Sequence, residues 1–517
     1  MDSTAPILND PVDVQDDSSL GLVSLAEARF EHWRRTIGLF AGPIALALVW
    51  LLPIAGLSSE AHRLAAVVAL VVCWWVTEPI PLPATALVGV VLTVLAGIST
   101  AADAFAPFAN PIIFLFIGSF MIGRAMSAHA LDRHLAFGLL ALPIVRGNVG
   151  RTRFAVAGLC VALSAWMSNT ATAAMMVPVA IGVLEATRRD RSSPLRSPVA
   201  VGFLLTIAYG AAIGGMMTPI GTPPNLIAIG LLDRLAGVRI DFVSWMLIGV
   251  PIALAMGVAM YALSSIMFAD RTTMAQSAAA YIQREQSTAR QWTPGKRNCI
   301  IAFGTAVVLW VTPGIIAAAG VTSPLARSIA GRLDEGVVAI AAASLLFLLP
   351  INWRRRQFTL DWKAASGIDW GTILLFGGGL SLGRLMFETG LASVLGSGLV
   401  SLTGAESLWA VTAVGIVAAI ALTEVTSNTA AANMLVPVIL TICAAGGLNP
   451  VPPVLGVALG TSMAFMLPIS TPPNAIIYGT GLVRITEMMR FGLIVDAIGA
   501  VILFGGLRLL CPLLGFS

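Results

Sequence analysis

The sequence predicts an all-α polytopic membrane protein, with about 11 transmembrane helices and two opposed re-entrant hairpins in an inverted repeat. Three observations carry that prediction. The first is composition. Of 517 residues, 57% are apolar and only 11% are charged, and the mean hydropathy is +0.89. A soluble chain carries about a quarter charged residues. Apolar stretches of roughly 17–25 residues, the length a bilayer core requires, recur along the whole chain. The second is duplication. Residues 168–180 read SNTATAAMMVPVA and residues 427–439 read SNTAAANMLVPVI, identical at nine of thirteen positions. TPIGTPPNLI at 218–227 returns as LPISTPPNAI at 467–476, and IFLFIGSFMIGRAM at 113–126 returns as ILLFGGGLSLGRLM at 373–386. The third is placement: the repeated elements are small polar clusters inside apolar stretches. Broken membrane helices build a binding site at a repeat interface in this way.

The elements follow in order. Residues 1–28 are polar and acidic and read as a disordered tail, within an N-terminal region 1–36 that becomes amphipathic. They lack the basic start and short apolar core of a secretory signal. Arg29, Arg34 and Arg35 precede the first span, which places the N-terminus in the cytoplasm. That span, roughly 37–57, lies in a segment 37–63 outside the repeat. Repeat 1 covers 64–268, with spans near 64–81, 84–99 and 110–127, a semi-polar interfacial stretch 128–153, a hairpin 153–186, a span 199–235 broken at Gly221–Asn225, and a span 243–268. A polar cytoplasmic linker covers 269–297. Repeat 2 covers 298–513, with spans near 298–316, 335–351 and 371–388, an interfacial piece 390–404, a hairpin 407–445, a span 452–482 broken at Ser470–Asn474, and a last span 490–513.

The hairpins rest on length and charge. Each arm of the first is about 14–16 residues, short of the roughly 20 a crossing needs. Arg153 precedes the first arm, and Arg188, Arg189 and Arg191 follow the second, so both ends lie on the cytoplasmic side. Five crossings per repeat invert the second copy. Its hairpin then opens outward, and its flanks carry no Lys or Arg. The C-terminus falls outside, in a plasma (inner) membrane.

The polar clusters have a chemistry. Irregular backbone at membrane depth must be buried in protein or line a cavity. Ser, Asn and Thr cap helices, and Pro fits the first helical position, where no amide donor is needed. Each SNT should therefore cap the second hairpin arm, and each Thr of TPPN its half-helix. Four helix N-termini then converge near the midplane, and their free amides and positive dipole ends suit an anion. The opposite ends of the breaks present carbonyl oxygens. With hydroxyls and the side-chain oxygens of Asn169 and Asn428, these suit a small hard cation such as sodium. One amide can face an anion while its oxygen faces a cation. Arg124 and Arg384 are repeat-related, lie near span ends and read as snorkelling or structurally paired. Glu424, three residues before the second SNT, is a candidate for shaping the site, and Glu78 reads as structural.

Together the paired SNT motifs, the two TPPN breaks and WWxxExIPL at 74–82 resemble the divalent anion:sodium symporter family, the INDY-like dicarboxylate and citrate transporters. The resemblance runs from about residue 37 to 513. It implies homodimers with a scaffold domain and a mobile transport domain, an elevator motion, and substrates such as succinate, malate, fumarate, citrate or sulfate. It implies a first sodium position at Ser164, Ser168, Asn169 and the Gly221 carbonyl, and a second at Thr423, Thr426, Asn428 and the Ser470 carbonyl. The substrate carboxylates would meet Ser168, Asn169, Thr170, Ser427, Asn428 and Thr429, with Thr222, Pro223, Thr471 and Pro472 closing the pocket. The repeat offset of 259 residues that relates Asn169 to Asn428 also relates Ser164 to Thr423. Two departures stand out: Gly221 opposite Ser470, and Met167 opposite Thr426.

The reading is therefore a sodium-coupled carrier of divalent organic anions, with sodium as coupling ion, no cofactor, and membrane lipid and a second subunit as partners. The chain leaves no room for an appended soluble regulatory domain, which favours a carboxylate over sulfate. Alternatives on the same fold are a sodium-independent dicarboxylate exchanger and a citrate or sulfate transporter. An efflux pump or proton antiporter would favour titratable acids at the hairpin tips, which here are neutral. An intramembrane enzyme would need a metal cluster, an Asp pair or a nucleophile–base dyad. HExxH and intramembrane His are both missing from the sequence. The five cysteines, in apolar runs without CxxC spacing, read as packed thiols. A net charge of +4 gives no reason to expect nucleic acid.

Overall fold

The computed structural model describes residues 25–54, 56–142, 149–187, 195–268, 282–287, 291–321, 323–403 and 407–516. Among them, ten helices are long and apolar enough to cross a membrane. Two of the ten, Asn169–Ala186 and Asn428–Gly446, are the second arms of the hairpins. Setting them aside and adding the 14-residue helices Leu82–Leu95 and Glu335–Leu348, together with the broken segment Val451–Gly479, recovers the eleven expected spans. Helix starts follow the capping rule. Asn110-Pro111, Ser197-Pro198, Thr293-Pro294 and Ser323-Pro324 each place an oxygen cap before a proline that needs no donor.

Several boundaries differ from expectation. The first helix runs Leu25–Leu51, so residues 25–28 are helical; the rest of the expected disordered tail, 1–24, lies outside the described residues. Its early turns are polar and are held by Arg34–Glu31 (3.0 Å) and Arg35–Glu31 (3.3 Å), the i,i+3 and i,i+4 pairing that a hydropathy reading passes over. The expected linker 269–297 lies partly outside the described residues; 282–287 is helical, and the next helix already starts at Pro294. Short helices at Ala101–Phe105, Ala106–Ala109 and Pro324–Arg332 were not expected. The protein is also not strictly all-α. Pro350–Asn352 and Gln357–Phe358 form a small antiparallel hairpin.

The centre of the molecule is Pro198–Gly215, buried at every residue from Val199 to Gly215. Both arms of the first hairpin, Val149–Ser164 and Asn169–Thr187, pack against it. The first arm approaches closely: a Cβ on Gly214 would meet the Val161 carbonyl oxygen at 2.3 Å. The half-helices cross over between repeats. Pro472–Gly479 packs on the second arm of the first hairpin, and Pro223–Leu231 packs on the second arm of the other hairpin, Asn428–Gly446. Each half-helix thereby leans on the partner repeat's hairpin. A separate, smaller core joins Ser59–Thr77, Leu82–Leu95 and Trp370–Glu388.

Candidate binding site between the hairpin tips

One cavity of about 1160 Å³ is lined by both tips and both breaks. It brings together Ser168, Asn169, Thr170, Thr222, Pro223, Ser427, Asn428, Thr429, Thr471 and Pro472, with Gly221, Thr426 and Ser470. Ser164 and Thr423 do not reach it. They lie fully buried behind the tips and act through the asparagines. Ser164 Oγ donates to Asn169 Oδ1 at 2.7 Å, and Thr423 Oγ1 lies 2.8 Å from Asn428 Oδ1. The two asparagines are thus held identically, by a hydroxyl five residues earlier on the first arm. This fixes each amide with its oxygen toward the buried hydroxyl, leaving Nδ2 without a protein partner among the described residues. Thr423 Oγ1 is also 2.7 Å from the Thr461 carbonyl, and its single proton can serve only one acceptor at a time.

The helix ends supply the electrostatics. Asn169, Pro223, Asn428 and Pro472 each begin a helix, so four positive dipole ends border the cavity. No charged side chain lies within the SNT or TPPN segments. Capping is less uniform than expected. Ser168 Oγ accepts from the Ala171 amide at 3.2 Å and Thr471 Oγ1 from the Asn474 amide at 3.4 Å. Ser427 and Thr222 make no side-chain cap. Among the described residues neither hydroxyl caps its helix, which leaves both available to a ligand. The Thr426 hydroxyl donates to the Trp75 carbonyl at 3.1 Å, and its oxygen lone pairs remain.

Sequence reasoning passed over the last letter of TPPN. Asn225 is fully buried, and its Nδ2 donates to the Gly215 and Thr218 carbonyls, both at 2.8 Å. Asn474 does the same to the Ala464 and Leu467 carbonyls, at 2.9 and 3.0 Å. The acceptors stand ten and seven residues before the asparagine in both copies. Each Asn clamps the irregular backbone that would otherwise leave carbonyls unpaired at membrane depth. The Thr218 and Leu467 oxygens also accept from the Gly221 and Ser470 amides, both at 3.3 Å, which fills the two lone pairs of each. The repetition of Asn in both motifs was the available signal. Thr218 Oγ1 also donates to the Ala165 carbonyl, tying the first break to the first tip.

Glu424 does shape the site. It is buried, and its Oε1 accepts from the Phe465 and Met466 amides at 2.7 and 2.8 Å. Its Oε2 accepts from the Leu467 amide at 3.2 Å and from Ser470 Oγ at 2.8 Å. One carboxylate therefore moulds the second break. Glu78 caps its helix in the left-handed region (φ 48°) and lies 3.5 Å from Arg34. Arg384 donates to the Asp103 carbonyl at 2.8 Å and lies 3.6 Å from Glu388, so it is structurally paired. Arg124 is exposed on the cavity wall, with Arg34 and Arg35 at the same mouth.

Residues 32–514 match the sodium:sulfate symporter transmembrane region. The chain is 32% identical over 478 residues to the sodium-dependent dicarboxylate transporter SdcS of Staphylococcus saprophyticus, covering 90% of this chain and 89% of the relative. It is equally 32% identical, over 482 residues, to SdcS of Staphylococcus aureus strain USA300, with the same coverage. Among solved structures it resembles the Alcanivorax borkumensis YdaH transporter, with a TM-score of 0.53 at 14% identity over 95% of this chain and 98% of that one. It also resembles Neisseria gonorrhoeae MtrF, with a TM-score of 0.54 at 12% identity over 93% and 96%. These two share its fold.

Proposed function

The chain belongs to the sodium:sulfate symporter family, membrane transporters and not enzymes, and from that premise we propose that it carries divalent organic anions with sodium. The substrates in this reading are C4-dicarboxylates such as succinate, malate and fumarate. The observation that carries it is the pair of asparagines, Asn169 and Asn428, each held by a buried hydroxyl at the head of a helix on one shared cavity. Their free Nδ2 groups and the four helix N-termini meet the two carboxylates of the anion. Their oxygens, with the Gly221 and Ser470 carbonyls, take sodium beside it. Each charge then lowers the cost of holding the other, which is the physical content of coupled binding. The name borne by the SdcS relatives supports both sodium and a dicarboxylate.

In this reading the protein is a homodimer in the plasma (inner) membrane, with the N-terminus inside. The cavity, lined in part by Arg34, Arg35 and Arg124, would face the cytoplasm in this orientation. The hairpins, broken helices and last helix move as one body against a scaffold of the other helices. Thermal unfolding of the purified protein tests the coupled site. Sodium and succinate together should stabilise it more than the sum of either alone, with succinate at about 100 times its Kd in sodium contributing about 2.7 kcal/mol. An equal effect in potassium would contradict sodium coupling.

A further inference from the structure

The large cavity has a wall that the tips do not provide. The helix Pro111–Ala128 lines it with Ser119, Gly123, Arg124 and Ser127, whose spacing sets them on one side of the helix. They form a polar stripe on an otherwise apolar segment. The Ser119 hydroxyl is buried and has no partner among the described residues. Arg124 is exposed, and its guanidinium makes no hydrogen bond or ion pair among them.

The other charged groups on the cavity are committed. Arg34 lies 3.0 Å from Glu31 and 3.5 Å from Glu78, and Arg35 lies 3.3 Å from Glu31. Asp369 caps the helix from Trp370, accepting from the Thr372 amide at 3.1 Å and the Thr372 hydroxyl at 2.5 Å. Arg384 holds the same position in the second repeat as Arg124 in the first, yet it is paired with Glu388 and the Asp103 carbonyl and does not line the cavity. The repeat therefore does not require an unpaired guanidinium. Of the two copies, the one left unpaired is the one on the cavity. A guanidinium offers a carboxylate a planar fork of two N–H donors and keeps its charge. The tips offer amides and dipole ends but no formal charge.

We propose that Arg124 is the capture residue for the divalent anion, drawing it into the cavity and holding one carboxylate before the tips take it, with the Ser119 hydroxyl the next contact inward. This rests on the reading of the tips as an anion site. Two measurements test it. The first is independent of the anion carried. Gly123→Cys puts a thiol beside Arg124 where a Cβ meets nothing within 4 Å. The native cysteines, buried or half-buried, set the background. The rate with an anionic methanethiosulfonate, relative to a cationic one, should fall about tenfold when Arg124→Gln is added and recover in Arg124→Lys. An unchanged ratio would overturn the proposal. The second is labelled succinate uptake into inside-out vesicles at low salt. Arg124→Gln should raise KM about tenfold at an unaltered maximal rate, and added salt should shrink the difference. A wild-type KM for Arg124→Gln in vesicles of both orientations would also overturn it. Wild-type protein that takes up no succinate would instead count against the reading of the tips, and the thiol ratio would still decide Arg124.

Discussion

Alanine at Asn428 is expected to lower the initial rate of anion uptake by about 100-fold or more while leaving a folded protein, and alanine at Asn169 should do the same. Both side chains stand half-buried at a cavity wall, so their removal costs little packing. What is lost is the one group at each tip that can face an anion with its N–H and a cation with its oxygen. The hydroxyls behind them predict a graded effect. Thr423→Val and Ser164→Ala leave the amide in place but remove its anchor at 2.8 and 2.7 Å. Loss of an outer partner of this kind costs about 10–100-fold in cation affinity, so the sodium concentration for half-maximal uptake should rise by about that factor. Uptake by Asn169→Ala or Asn428→Ala at the wild-type rate, from equal amounts of folded protein, would remove the tips from the site.

The second large effect is expected at Glu424. Alanine there strands the Phe465, Met466 and Leu467 amides, all set around a buried carboxylate, while the Ser470 hydroxyl keeps the residue-424 backbone carbonyl at 2.8 Å. A buried donor left without an acceptor costs about 1–3 kcal/mol. Three such losses in one network are not independent. A destabilisation of about 3 kcal/mol or more is expected even so, which amounts to a large part of a typical folding free energy. Glu424→Ala should therefore be lost from the folded pool in size-exclusion chromatography. Glu424→Gln keeps one acceptor oxygen but turns an N–H₂ toward donors. It should fold with a lower unfolding temperature and need more sodium for uptake, since the second break carries the Ser470 carbonyl. Wild-type stability and sodium dependence in Glu424→Gln would show that the charge is not needed.

The parts of this protein legible in its sequence are those it states twice. The SNT and TPPN clusters stand out because each copy vouches for the other and because polar residues inside apolar stretches need a reason. Elements stated once and locally were missed or misjudged. The helix from Leu25 is polar in its first turns, and the pieces at Ala101–Ala109 and Pro324–Arg332 are too short for a hydropathy window. Long-range hydrogen bonds were hidden for another reason. Glu424 meets its partners 41 to 46 residues further on, across a fold that periodicity cannot supply. The roles of Asn225 and Asn474 were within reach, since both copies end in Asn. Reading them required asking where the carbonyls of a broken helix find donors. Ser427 and Thr222 show the converse, for a good capping residue at a helix start does not oblige the cap to form.

The most direct test of the central claim is labelled succinate uptake into proteoliposomes, with and without an inward sodium gradient, into empty and succinate-loaded vesicles. The account predicts uptake into empty vesicles that requires sodium. Uptake confined to loaded vesicles and indifferent to sodium would contradict it, and the two tips would then hold an exchanged anion without a coupled cation.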